Sequence, residues 1–189
     1  MEVNLGNALN VRIILWKIPK RRFSMSIESE LGEVYNQIIT KINDMIPSTW
    51  ADLIFYAEVN LKQGGEAYFY YSLQENPYEY HFSNEIPDDF GVSMKIYSDL
   101  NYELYKITEK LQKIFERYHQ RPWYSFIMRV DVNLKMQAKF DYVNWNKSDF
   151  GPVARQAYFE YKYLDKKFTD PEMRHKIKLM QRYEESGRG

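Results

Sequence analysis

From Ser26 onward, apolar residues recur at alternating steps of three and four. Leu31, Val34, Tyr35, Ile38, Ile39, Ile42, Met45 and Ile46 share one face of a helix, with Ser26 or Ser29 as cap and Pro47 as stop. The period then changes to two. Leu53, Phe55, Ala57, Val59 and Leu61 share a face in 52–61, and Ala67, Phe69, Tyr71 and Leu73 share one in 66–73. Between these runs, Lys62-Gln63-Gly64-Gly65 offers glycines for the positive φ of a tight turn, so the pattern predicts a hairpin. A shorter strand over 78–82 is predicted beyond Asn76-Pro77. Helical spacing returns behind Ser93 with Tyr97, Leu100, Leu104, Ile107, Leu111, Ile114 and Tyr118, and ends before Pro122. A second hairpin is predicted over 123–132 and 135–143. Phe126, Met128 and Val130 lie on one arm and Met136, Ala138, Phe140 and Tyr142 on the other, joined by the poor turn pair Asn133-Leu134. A helix over 151–164 starts near Pro152, and Pro171 opens a charged helical stretch. The order α-β-β-β-α-β-β-α specifies an α+β fold, a single domain whose antiparallel sheet of two hairpins plus a short strand is covered by helices on one face.

The expected domain spans 26–164, with 165–189 a charged helical or flexible tail. The preceding segment, 1–25, has an apolar run followed by KIPKRR (17–22), the reverse of a signal peptide's order. It is expected to be a leader or disordered arm. Arg21-Arg22 can be encoded as a purine-rich ribosome-binding sequence, which makes Met25 an alternative start.

Hydrophobic residues make up 44% of the chain, enough to build a core, so disorder is excluded as its general state. The absence of cysteine removes disulfides, thiolate metal sites and thiol nucleophiles. No apolar run approaches the roughly 20 residues of a bilayer span. A cytoplasmic protein is expected, with no membrane partner.

Charge changes the picture more. The formal net charge is zero, but residues 1–25 hold five bases against one acid and 165–189 seven against five, leaving 26–164 with 14 bases and 20 acids. An acidic body favours basic partners over phosphate backbones, so direct nucleic-acid binding is not expected. The imbalance peaks in QGGEAYFYYSLQENPYEYHFSNEIPDDFGVSM (63–94), which has six carboxylates and no Lys or Arg. Glu66, Glu75, Glu79, Glu85, Asp88 and Asp89 stand there among Tyr68, Tyr70, Tyr78 and Tyr80. Tyrosine supplies contact area at small entropic cost, and carboxylates steer and then pair with Lys and Arg. Glu66, Glu75, Tyr78, Glu79, Tyr80, Glu85, Asp88 and Asp89 are therefore the candidate contacts for a basic protein partner. The bland alternative is that Phe69 and Tyr71 fill the core while the carboxylates keep an edge strand soluble.

Chemistry of the chain's own is weakly supported. His81, His119 and His175 lack metal-site spacing, and there is no Gly-rich phosphate loop, nucleophile elbow or H-E-x-x-H. No metal or cofactor is expected. Two rival classes remain open: a small enzyme using carboxylates and His81, and a nucleic-acid-binding regulator using the basic ends.

YAEV (56–59), YFYY (68–71), RPW (121–123), KFDYV (139–143) and GPVARQAYFEYKYL (151–164) occur in an order and spacing that resemble the YezG-like immunity protein family. The last block is the most specific. Asp165 stands where that family usually has Gly, and a Gly expected near Ala138 is missing; the resemblance covers about 27–164. It implies a bacterial cytoplasmic antitoxin paired with a type VII-secreted toxin, often a nuclease, whose toxic domain it binds and neutralises without catalytic residues. Trp50, Trp123, Trp145, Tyr158 and Tyr161 are assigned to the core or its margins. Arg155 and Lys162 are expected to tie the last helix to the sheet.

Overall fold

The three-four stripe behind Ser26 becomes α1 (Met25–Met45), which buries Leu31, Val34, Tyr35, Ile38, Ile42 and Met45 and leaves Ile39 half-buried. The computed structural model describes residues 2–5, 9–13, 25–62 and 64–187. Of the expected N-terminal leader or arm, residues 1, 6–8 and 14–24 lie outside the described residues. The described parts are two strands, β1 (Glu2–Leu5) and β2 (Leu9–Ile13), paired antiparallel.

β3 (Trp50–Asn60) and β4 (Gly64–Leu73) form the first hairpin, in register from Asn60↔Gly64 to Trp50↔Leu73 with an irregularity between Trp50 and Asp52. β5 (Asn76–Phe82) adds to β4. β6 (Ser125–Val130) and β7 (Met136–Asp141) form the second hairpin, and β6 pairs antiparallel with β3. The resulting order β7-β6-β3-β4-β5 is antiparallel throughout, and β2 extends it through a parallel pairing with β7. Between the sheet halves run the short helix α2 (Ile86–Phe90) and α3 (Met94–Arg117). The expected single-domain α+β order holds, with five helices among the described residues. Within it two compact units are distinguishable, Met1–Asp141 and Tyr142–Gly189.

In the first unit α1 packs on α3, and α3 on β3 and β4. The sheet face turned to them carries the alternate residues predicted from sequence, among them Leu53, Phe55, Phe69, Tyr71, Met128 and Phe140, all buried. Phe126 sits centrally: its ring lies 5.6 Å from Tyr35, 5.0 Å from Phe140, 6.2 Å from Trp123 and 6.1 Å from Phe55. The opposite face of the sheet is also buried at Ile54, Tyr56, Tyr68, Tyr70 and Ile127. Burial on both faces explains why β3 reads as a nearly continuous apolar run, with Asp52 and Glu58 as its only charges.

The second unit has a core of Val143, Trp145, Ala154, Tyr158, Ile177 and Met180. α4 (Pro152–Tyr163) and α5 (Pro171–Ser186) are its helices; Asp170 caps α5 by accepting from the Met173 N–H at 2.7 Å. Glu184 is buried, accepts from the Tyr158 hydroxyl at 2.7 Å and pairs with Lys162. Lys162 thus ties α4 to α5 rather than to the sheet, while Arg155 donates to the Phe150 carbonyl at 2.9 Å. The charged stretch after Pro171 hides an apolar stripe, Ile177 and Met180, that packs beside Trp145.

Candidate partner-binding surface

The carboxylate-rich stretch folds as one arm of a hairpin, its turn, an edge strand and a short helix, so its members are dealt to different places. Glu66 stands opposite Glu58 in the β3–β4 ladder and is half-buried. Glu75 is exposed in the β4–β5 turn, nine residues on, which is about 30 Å along an extended strand. Glu66 is therefore separated from Glu75. Tyr68 and Tyr70, expected to present rings at the surface, are buried instead. Tyr68 meets Phe82 edge-on at 5.8 Å and Tyr70 stacks on it at 5.0 Å, because register puts all three on one face.

Around the β4–β5 turn Glu75, Tyr78 and Glu79 gather, while Glu85, Asp88 and Asp89 form a second group at the other end of β5. Tyr78 is 93% exposed on the edge strand β5, and Glu79 beside it accepts from the Asn76 amide at 2.6 Å. Farther along, Glu85, Asp88 and Asp89 are exposed in and just before α2. The Ser83 hydroxyl accepts from the buried Phe69 N–H at 3.1 Å, and the Tyr97 hydroxyl donates to Asn84 at 2.9 Å, fixing this turn to β4 and α3. Asp89 lies 3.9 Å from His81 Nδ1, a pair charged only when the imidazole is protonated. Among the described residues, none of Glu75, Glu79, Glu85 and Asp88 has a Lys or Arg partner. This is a standing negative surface on rigid elements.

Tyr80 has a different role. Its hydroxyl donates to Asp52 Oδ1 at 2.7 Å and accepts from Arg129 Nη2 at 3.2 Å, while Arg129 donates through Nη2 and Nε to Asp52 Oδ2 at 2.9 and 3.3 Å. Burial, then the hydrogen bond to Asp52 and its charge, push the Tyr80 pKa up to about 12, against the opposing pull of Arg129. Burial works against the Arg129 cation, but the hydrogen bonds and charge of Asp52 outweigh it and raise its pKa.

This triad lines a cleft of about 1010 Å³ at the end of the sheet, walled by Trp50, Pro77, Tyr78, Val132 and Leu134 and by the end of α1 at Asn43. The lining charges, Asp52 and Arg129, cancel. Sequence reasoning missed the cleft because β3 and β6 are about seventy residues apart. The available signal was one charge of each sign on matching faces of two apolar strands. The turn between β6 and β7 is built on Asp131, whose carboxylate accepts from the Asn133 and Lys135 N–H groups, both at 2.9 Å, with Leu134 at φ 56°.

Among the described residues no group of three or more His, Asp or Glu side chains is placed to hold a metal ion, and no helix is long and apolar enough to cross a membrane. His81 sits on β5, His119 at φ 52° beyond α3, and His175 on α5 of the second unit. The arrangement offers contact area, charge and a groove.

A family model described as "Immunity protein YezG-like" matches residues 31–180. The match runs past Leu164, where the sequence resemblance ends, and takes in Ile177 and Met180 of the second core. "Type VII secretion system protein EsaG" of Staphylococcus aureus (strain NCTC 8325 / PS 47) is 30% identical over 138 residues, 73% of this chain and 83% of that protein. "Immunity protein YezG" of Bacillus spizizenii (strain ATCC 23059 / NRRL B-14472 / W23) is 32% identical over 135 residues, 71% and 83% of the respective chains. The protein of the same name from Bacillus subtilis (strain 168) is 29% identical over 134 residues, 71% and 87%.

Proposed function

Because the chain belongs to the YezG-like immunity protein family, we propose that it is a cytoplasmic antitoxin that binds the toxic domain of a cognate type VII-secreted toxin. That domain is a nuclease in this reading, and inhibition is stoichiometric, without turnover. The similarity to a relative named for type VII secretion supports the secretion route. The observation that carries the mechanism is the set of exposed carboxylates without cationic partners at the two ends of β5, Glu75 and Glu79 near the exposed Tyr78 ring and Glu85 and Asp88 beyond Phe82. A nuclease site is built for polyanions, so its surface is cationic, and a fixed negative face both steers toward it and pairs with it.

The test is co-expression with the C-terminal domain of the toxin encoded beside this chain's gene. Cells making the toxin alone are expected to lose DNA or RNA integrity. Those making both survive, and the two chains copurify as one complex. Survival that depends on His81, with no complex formed, supports an enzyme instead. Binding of the purified chain to DNA with an affinity that falls steeply with salt supports the regulator. Either result overturns the antitoxin reading.

A further inference from the structure

We propose that the cleft at the β4–β5 end of the sheet is the anchor site for the toxin. It seats an extended toxin segment that carries an apolar side chain flanked by Lys or Arg. This inference rests on the antitoxin reading and specifies its interface.

Three observations point to that occupant. The first is exposed apolar surface in one place. Tyr78, Val132 and Leu134 are 93, 63 and 49% exposed, and all three line the same groove. Their convergence across a concave site is unlike scattered surface hydrophobics and fits a seat for an apolar side chain. The second is charge. The lining's Asp52 and Arg129 neutralise one another, so the floor has no excess charge to hold a phosphate or a free ion. The adjoining turn and edge strand carry Glu75 and Glu79, exposed and without cationic partners, while on the other side Asp131 and Lys135 flank Val132 and Leu134 with opposite charges, so the rim is net acidic. A neutral floor with an acidic rim selects an apolar tip with basic neighbours. The third is the floor's hydrogen-bonding capacity. Arg129 spends Nε and Nη2 on Asp52 and Tyr80, its side chain stays 49% exposed, and Nη1 has no partner among the described residues. A guanidinium locked on two sides and open on the third offers a fixed donor to a backbone carbonyl of the seated segment.

The turn that presents Leu134 also works against the fold's own interest. A leucine at φ 56° is strained relative to glycine, and an apolar side chain at that tip gains nothing by facing water. Leu134→Gly therefore separates folding from binding: it relieves the backbone and deletes the contact.

The experiment measures binding of the purified full chain to the toxin's C-terminal domain for wild type, Leu134→Gly, Val132→Ser and the pair Glu75→Lys with Glu79→Lys, with thermal unfolding of each variant. Leu134→Gly is expected to unfold at or above the wild-type temperature and to raise Kd about tenfold or more, with Val132→Ser acting in the same direction. The double charge reversal is expected to slow association and to flatten its salt dependence. A Leu134→Gly chain that binds as tightly as wild type overturns the cleft and leaves the antitoxin reading standing; a wild-type chain that does not bind the toxin overturns both. A chain that self-associates alone, and becomes monomeric on Leu134→Gly, assigns the cleft to a second copy and overturns the proposal.

Discussion

Gly64 and Gly65 look interchangeable in the sequence, and the structure predicts that they are not. Gly64 has φ +85° with open space around it, so an alanine there pays only for a left-handed backbone, about 1 kcal/mol. Gly65 has no positive φ. A methyl group there would lie 1.9 Å from the Glu58 carbonyl oxygen and 2.9 Å from its carbon. Relief requires a shift of more than 1 Å, because non-bonded contacts settle at roughly 3.5 Å. Opening a bond angle by about 15° costs around 4 kcal/mol and moves the methyl by only a few tenths of an ångström. The strands must therefore part near Val59↔Gly65, giving up two or three ladder hydrogen bonds at about 1 kcal/mol each. Gly65→Ala is expected to cost about 3 kcal/mol and Gly64→Ala about a third of that. Urea unfolding checks this through the midpoint, with the slope held constant. A Gly65→Ala penalty below that of Gly64→Ala would falsify the close-approach argument. Because the site lies about 30 Å from the β4–β5 turn, toxin affinity of the folded fraction should not change.

Phe126→Ala removes the ring at the centre of the aromatic cluster and is expected to cost about 3–5 kcal/mol in urea unfolding; a loss under 1 kcal/mol contradicts its central place. Tyr80→Phe deletes a hydrogen bond to a buried carboxylate and should cost about 1–3 kcal/mol at neutral pH. The fold raises the Tyr80 pKa to about 12 from an ordinary value near 10. Its contribution is therefore complete below about pH 10 and lost as pH climbs through about 12. The gap between wild type and Tyr80→Phe should narrow over that window; a gap that stays constant shows that Tyr80 is not protonated more tightly in the fold.

Much of this architecture was legible in periodicity. The helix over α1 and the two hairpins follow from steps of three and four or of two, because each buries at least one regularly spaced apolar stripe, and the edge strand follows from its place beyond the Asn76-Pro77 turn. The failures trace to information that periodicity does not carry. Tyr68 and Tyr70 read as surface rings because alternation marks the face carrying Phe69 and Tyr71 as core; that the opposite face is buried too is a tertiary fact. The stretch after Pro171 reads as solvated because charges surround Ile177 and Met180, two apolar positions three apart that find a partner core in Trp145. The cleft depends on β3 meeting β6, and only that pairing brings Arg129 to Asp52. Composition found the carboxylates but could not separate Glu66 from Glu75, since position along a strand becomes distance only once the turn is placed.

In the toxin complex we propose, charge and shape serve different steps. The exposed carboxylates around the β4–β5 turn and α2 act at long range, within a Debye length of about 8 Å at physiological salt, and set how fast a basic partner arrives. The cleft acts only in contact, and its apolar walls and locked guanidinium set how long that partner stays. The division explains why Asp52 and Arg129 are better spent on each other than on a ligand. A pair that cancels within the groove adds nothing to the steering field but holds β3, β5 and β6 in one geometry through Tyr80. Replacing the pair together, Asp52→Asn with Arg129→Gln, should therefore affect dissociation more than association, because it loosens the groove's shape without changing the net charge of floor or rim. Arrival and residence are separable in one kinetic measurement, and a change confined to the association rate is incompatible with this division.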